Sequence, residues 1–252
     1  MKSEGRNNTQ GHQTVSQEEW VVARKELLTK EKELTRLRDQ LSSKRRELPW
    51  VKEEKRYVFD GPEVKEALAD LFDGRSQLIV YHFMFGPDWK EGCPICSAAA
   101  EHINSSLIHL AQRDVTLIAI SRAPIAQIEA FKKRMGWRFK WVSSYDSDFN
   151  FDYGVSFTKD DEAKGTMHYN YGTEPYRGEE VHGLSVFSKK ETGDVFHTYS
   201  AYARGPEELL GFYFYLDRVP KGRDENALDF PMAWVRHQDK YADFPTREED
   251  QS

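Results

Sequence analysis

The 252-residue sequence has little cysteine, no long apolar run and no excess of positive charge. Two cysteines are too few for a secreted disulfide scaffold, and a reducing compartment would keep a structural bridge open in any case. The longest apolar stretches, Leu78 to Phe85 and Leu117 to Ile120, fall far short of the ~18 residues that a transmembrane helix needs. Between Met1 and Glu19 the one apolar side chain beyond the initiator is Val15, which excludes the greasy core of a secretory signal. A net charge of -6 argues against the basic footprint of a nucleic-acid binder and against anionic membrane surfaces. These absences lead to the expectation of a soluble, cytoplasmic protein.

What is present suffices for one good core. Hydrophobic residues make up 38% of the chain and aromatic residues 13%. Residues 1–15 are polar and aperiodic and read as a disordered lead-in. Ser16 and Glu19 form a capping-box pattern, each side chain satisfying a backbone donor of the other, and a helix follows to Pro49. In it Trp20, Leu27, Leu34, Leu41 and Leu48 recur every seven residues, while Lys30 and Lys44 interrupt the second seam position. The 16–49 segment is therefore an amphipathic helix that either packs on its own domain or pairs with another subunit as a homodimer.

The main domain is read over 50–220. Arg56 to Phe59 reads as a short strand ahead of Asp60-Gly61-Pro62, and Val64 to Phe72 has helical spacing. Leu78 to Phe83 reads as a central strand covered on both faces. Cys96 to Gln112 carries a helical stripe, Val115 to Ile120 is a second buried strand, and a helix from Ile125 to Met135 stops at Gly136. Trp141 to Ser144 is a third strand. The stretch 146–183 is rich in Asp, Asn, Gly and Tyr without a period, an insertion holding short elements. Leu184 to Phe187 and Val195 to Tyr199 form a hairpin around Gly193, and a last helix runs from Pro206 to Leu216. Residues 221–252 are a C-terminal extension, aromatic and punctuated by proline.

Cys93 and Cys96 stand three apart, a spacing that two randomly placed cysteines would show in about one percent of cases. They fall where a strand hands over to a helix. A helix N-terminus offers unpaired backbone donors and partial positive charge, which stabilise a thiolate at Cys93. Cys96, one turn deeper, can attack a mixed disulfide formed there and release the reduced product. Pro94 suits the first helical position, and Gly92 lets the chain turn ahead of it. Trp89 covers the loop before the cysteines and, with Pro94, belongs to the substrate-binding surface. Glu91, two residues away, is expected to oppose thiolate formation. Two other readings compete: half a zinc site completed by His82 and His102, or two small side chains at a helix start with no chemistry. With no second CxxC and no close His pair, no metal is assigned.

The order of strand, CxxC at a helix start, strand, helix, excursion, hairpin and final helix is that of a thioredoxin-like α/β fold, a central mixed sheet flanked by helices. The approach to the cysteines also resembles a peroxiredoxin site. Peroxiredoxins, however, carry Pro seven residues and Thr or Ser three residues before the reactive cysteine, where this chain has Gly86 and Lys90, with Pro87 one place out. Beyond the lead-in, the chain resembles an uncharacterised bacterial thioredoxin-like family, a domain of unknown function whose members are sometimes described as predicted dithiol-disulfide isomerases. The resemblance rests on the stretch from Glu19-Trp20 through Leu48-Pro49-Trp50, on Tyr81-His82-Phe83-Met84-Phe85-Gly86-Pro87 leading into Cys93-Pro94-Ile95-Cys96, on Ser121-Arg122-Ala123-Pro124, on Phe131 to Phe139, on Val195 to Tyr199, and on Phe230 to His237. Thioredoxins place a cis-proline just before the hairpin strand, facing the cysteines; this chain has His182-Gly183 there. His182 is accordingly either a solvent-facing loop residue or part of the substrate platform.

The expected activity is that of a dithiol-disulfide oxidoreductase, with Cys93 as nucleophile and Cys96 as resolving thiol. It would act on a protein or small disulfide, need no bound cofactor and be recharged by an external reductant. The alternatives are a non-enzymatic thioredoxin-fold binding or scaffold protein and a peroxiredoxin-like peroxidase.

Overall fold

The computed structural model describes residues 11–242. Of the lead-in, residues 1–10 lie outside the described residues, as does the end of the C-terminal extension from residue 243. The described chain divides into two compact units: the residues up to Pro49 with Phe212–Asp224, and Trp50–Gly211 with the residues from Glu225 onward.

The first unit holds α1 (Gln17–Arg46), opened by the predicted capping box: Ser16 Oγ accepts from the Glu19 backbone N–H at 3.2 Å, and Glu19 Oε2 accepts from the Ser16 N–H at 2.9 Å. Glu18 and Glu19 at its start and Lys44 to Arg46 at its end complement the helix dipole. None of its residues is buried.

The second unit begins with β1 (Val51–Lys52), β2 (Val58–Asp60) and β3 (Lys65–Ala67). Here the helix predicted over Val64 to Phe72 is corrected. The Gly61 N–H donates to the Val64 carbonyl and closes a turn, so Lys65, Glu66 and Ala67 pair antiparallel with Asp60, Phe59 and Val58. Helical geometry is limited to a 3-10 turn, Asp70–Phe72, which the left-handed Asp73 ends. The i, i+4, i+7 spacing of Val64, Leu68 and Leu71 misleads because Val64 is exposed while Leu68 and Leu71 are buried beside the strand pair.

Then follow β4 (Gln77–His82), α2 (Pro94–Ala111), β5 (Val115–Ser121), α3 (Ile125–Met135) and β6 (Lys140–Ser143). The excursion carries α4 (Phe149–Asp152), α5 (Lys159–Lys164) and a two-stranded sheet of β7 (Thr166–Tyr169) and β8 (Gly172–Pro175). The hairpin is β9 (Gly183–Lys189) with β10 (Val195–Tyr202). The expected helix from Pro206 to Leu216 is instead a 3-10 turn over Glu207–Leu209 and a separate α6 (Gly211–Leu216). Leu210 leaves helical geometry between them, at φ -89° and ψ 67°. At Gly211 the chain passes so close to His102 that a Cβ would lie 2.6 Å from its Nδ1.

The main sheet has the order β1-β10-β9-β4-β5-β6-β2-β3. β4 runs parallel to β5, with Val80 opposite Ile118, and antiparallel to β9, with Val80 opposite Ser185. A parallel strand-helix-strand unit flanked by an antiparallel hairpin, with cysteine at the head of the first helix, is a thioredoxin-like arrangement. One face of the sheet packs Phe59, Phe72, Leu78, Val80, Ile118, Ile120, Phe149 and Phe187 into a core. Phe83, Phe131, Trp137, Phe139 and Trp141 form an aromatic cluster near the carboxyl ends of the parallel strands, where α/β sheets present their sites. Among the described residues no helix is long and apolar enough to cross a membrane.

Candidate active site

Beyond His82 the chain runs through a loop to Cys93, the N-cap of α2, with Pro94 in the first turn. Proline costs nothing there, because the first backbone donors of a helix have no intrahelical acceptor. The Cys93 N–H donates to the Met84 carbonyl at 3.0 Å, and the Cys93 carbonyl accepts from the Ser97 N–H and hydroxyl, both at 2.9 Å. The backbone at Cys93 is thus held from both sides. Its side chain is used for no cap and is half-buried, whereas Cys96, one turn along, is buried.

The two sulfurs differ electrostatically. The Cys93 thiol is lowered to about 7: first by a hydrogen bond from the Cys96 thiol, against which burial works, and then by the backbone N–H groups of Cys96 and Ile95. Burial pushes Cys96 well up, and its bond to Cys93 pushes the same way; the Tyr81 hydroxyl and the Met84 backbone act on its sulfur in the opposite sense. Tyr81 is itself buried, and burial raises its hydroxyl well above the ordinary range. The result is one sulfur near neutrality at the helix terminus and one held protonated beneath it.

Glu91 does not act as its sequence position suggests. Arg134 Nη1 donates to its Oε1 at 2.5 Å and Lys240 Nζ to its Oε2 at 2.6 Å. These bonds, Lys240's first, hold its carboxyl below the usual range. Two cations thus pair the carboxylate whose charge was expected to oppose a Cys93 thiolate. Just beyond, His237 Nε2 donates to the Gly92 carbonyl at 2.8 Å.

The predicted substrate-side residues fall in different places. Trp89 is half-buried and folds back on Gly86, whose added Cβ would meet its Nε1 at 2.9 Å. Pro94 is exposed. His182 is half-buried, its Nε2 donating to the Ala203 carbonyl at 2.8 Å, and it lines a cavity of about 210 Å³ with Tyr81, Ile95, Ala99, Leu210 and Met232. Burial lowers its imidazole below the ordinary value. The cavity therefore joins His182 to the flank of α2, and neither Trp89 nor Pro94 lines it. His82 and His102 lie apart from the sulfurs' chemistry. His82 is buried, bonds to Ser185 at 2.7 Å and is depressed to about 3, mainly by burial. Among the described residues no group of three or more His, Cys, Asp or Glu side chains is placed to hold a metal ion.

Sequence reasoning missed Tyr81, Arg134, His237 and Lys240. Tyr81 stood in a strand that read as core, and Arg134 on a helix surface. His237 and Lys240 reach the loop across 145 and 149 residues of sequence. For His237 the available signal was the segment Phe230 to His237, whose purpose composition did not reveal.

The chain belongs to a bacterial family of unknown function, DUF899, whose model matches residues 9–241. No curated protein matches the sequence. Among solved structures it is similar to the peroxidoxin BcpB from Mycobacterium tuberculosis at 11% identity, covering 65% of this chain and 93% of that one, with a TM-score of 0.45. A cysteine-to-serine mutant of peroxiredoxin Q from Xanthomonas campestris matches at 12% identity over 65% and 90%, with a TM-score of 0.44. The mitochondrial 2-Cys peroxiredoxin of Plasmodium falciparum matches at 16% identity over 66% and 93%, with a TM-score of 0.42.

Proposed function

We propose that this member of the DUF899 family is a dithiol-disulfide oxidoreductase. The observation that carries the reading is the asymmetry of the two sulfurs: a half-buried Cys93 lowered to about 7 at a helix N-terminus, and a buried Cys96 held protonated below it. The Cys93 thiolate attacks one sulfur of a substrate disulfide, forming a mixed disulfide and expelling the other sulfur as a thiolate. Cys96 then gives up its proton and attacks the Cys93 sulfur, which releases the second substrate thiolate and leaves a Cys93–Cys96 disulfide. Two electrons have passed to the substrate, and an external dithiol returns them by the reverse exchange. A protein or small-molecule disulfide in the cytoplasm fits this chemistry, which uses no bound cofactor.

Reduction of insulin disulfides by dithiothreitol tests the reading. The wild-type chain is expected to accelerate it, Cys93→Ser to abolish the acceleration, and Cys96→Ser to stall as a mixed disulfide visible by mass. Equal rates in wild type and both mutants would leave a binding or scaffold role in its place. Peroxide consumption that outlasts Cys96→Ser would point to peroxidase chemistry instead.

A further inference from the structure

The described part of the segment from Glu225, residues 225–242, adds no strand to the sheet, yet it closes on the cysteine loop from two directions. On one side Met232 lines the cavity beside Ile95 and Ala99 of α2. On the other, His237 is buried, donates Nε2–H to the Gly92 carbonyl at 2.8 Å and packs edge-on against Phe131 at 5.3 Å between ring centroids. The next three residues fasten it. Gln238 donates to the Met135 carbonyl at 2.6 Å, Asp239 takes Arg134 through both Nε and Nη2, and Lys240 reaches Glu91. Opposite His237, a Cβ at Gly92 would lie 2.6 Å from the Phe83 ring and 3.0 Å from the Phe131 ring. The peptide leading into Cys93 is therefore packed against the rings of Phe83 and Phe131 and held at its carbonyl by a donated hydrogen bond.

We propose that His237 is a positioning residue for Cys93: its bond to the Gly92 carbonyl fixes the peptide plane at the start of α2, while Arg134 and Lys240 keep Glu91 from opposing charge on the sulfur. The proposal builds on the assignment of Cys93 as the reactive thiol. The titratable groups that bear on the two sulfurs are Tyr81 on β4 and Tyr169 on β7, while Glu91, Arg134 on α3, and His237 and Lys240 of the C-terminal segment surround the loop that leads into Cys93. Loss of the His237 bond frees the loop to turn Cys93 away from the N–H groups of Ile95 and Cys96, and the thiolate loses their stabilisation.

The test is the pH dependence of Cys93 alkylation by iodoacetamide in the full-length chain. His237→Ala is expected to raise the midpoint and to slow alkylation at pH 7 by about twofold or more, the change that a half-unit rise from about 7 produces in the thiolate fraction. His237→Gln, whose amide can donate to the same carbonyl, is expected to recover most of the rate. Lys240→Met, a change at a half-exposed side chain, is expected to raise the midpoint by a smaller amount. A folded His237→Ala protein with the wild-type profile would overturn the proposal, as would His237→Gln being equally impaired. Should His237→Ala not fold, Lys240→Met and His237→Gln decide: a midpoint unmoved in the first, or raised by about half a unit or more in the second, overturns it. Alkylation reads the thiol alone, so the expected series in a protein that reduces no disulfide would retire the exchange reading and leave this one standing.

Discussion

At the residue scale the chemistry depends on two identical side chains being made unlike. Both are thiols with the same ordinary pKa, and the helix separates them by placing one among free N–H groups and the other under the sheet. Because the Cys93 thiol is lowered to about 7, its thiolate fraction rises as pH climbs through that value and falls away below it. Single-turnover attack on a disulfide should therefore increase from pH 6 to pH 8 and then level, where an unperturbed thiol would keep gaining to about pH 9.5. Tyr81 acts on the other sulfur. Its hydroxyl supports charge on Cys96, so Tyr81→Phe should slow resolution of the mixed disulfide several-fold, a larger change than it makes in the alkylation rate of Cys93. Quenched-flow mass measurement of the mixed disulfide separates the two steps.

At the scale of elements, what was legible in the sequence is what depends on local pattern. The capping box, the stop of α3 at Gly136, the near-continuous burial of β4 and β5 and the N-terminal placement of Cys93 follow from residues within a few positions of one another. Val64 to Phe72 was not legible because a strand pair formed through the turn at Gly61 overrode a helical spacing. The offset of Glu91 was invisible for a related reason: its cations come from α3 and from the C-terminal segment, and no spacing rule links them. Gly92 joins the two scales. Its predicted role as a turn residue understates its constraint, since the rings of Phe83 and Phe131 leave no room for a methyl group. Gly92→Ala should cost about 1–3 kcal/mol, the usual range for overpacking, in a denaturant titration, and should displace the loop that carries Cys93.

At the scale of the whole molecule, the sheet serves as a rigid mount. β4 lies between β5 and β9, paired on both edges, with Leu78 and Val80 fully buried in the core. The loop that leaves it therefore starts from a fixed point, and α3 and the segment from Glu225 fix its far end. Two long-range ion pairs act here: Glu91 and Arg134 are each linked to residues more than a hundred positions away. These pairs lie at partly exposed positions, so their value is in orientation and local charge more than in stability.

Exchange between Cys93 and Cys96 is tested most directly by equilibrating the full chain in defined mixtures of reduced and oxidised dithiothreitol, followed by acid quenching and intact mass. One transition is expected in which two hydrogens are lost together, with a Cys93–Cys96 disulfide as the product and no transition in Cys93→Ser. A chain that keeps both thiols free across the whole range, or that oxidises only between molecules, would contradict a dithiol-disulfide mechanism.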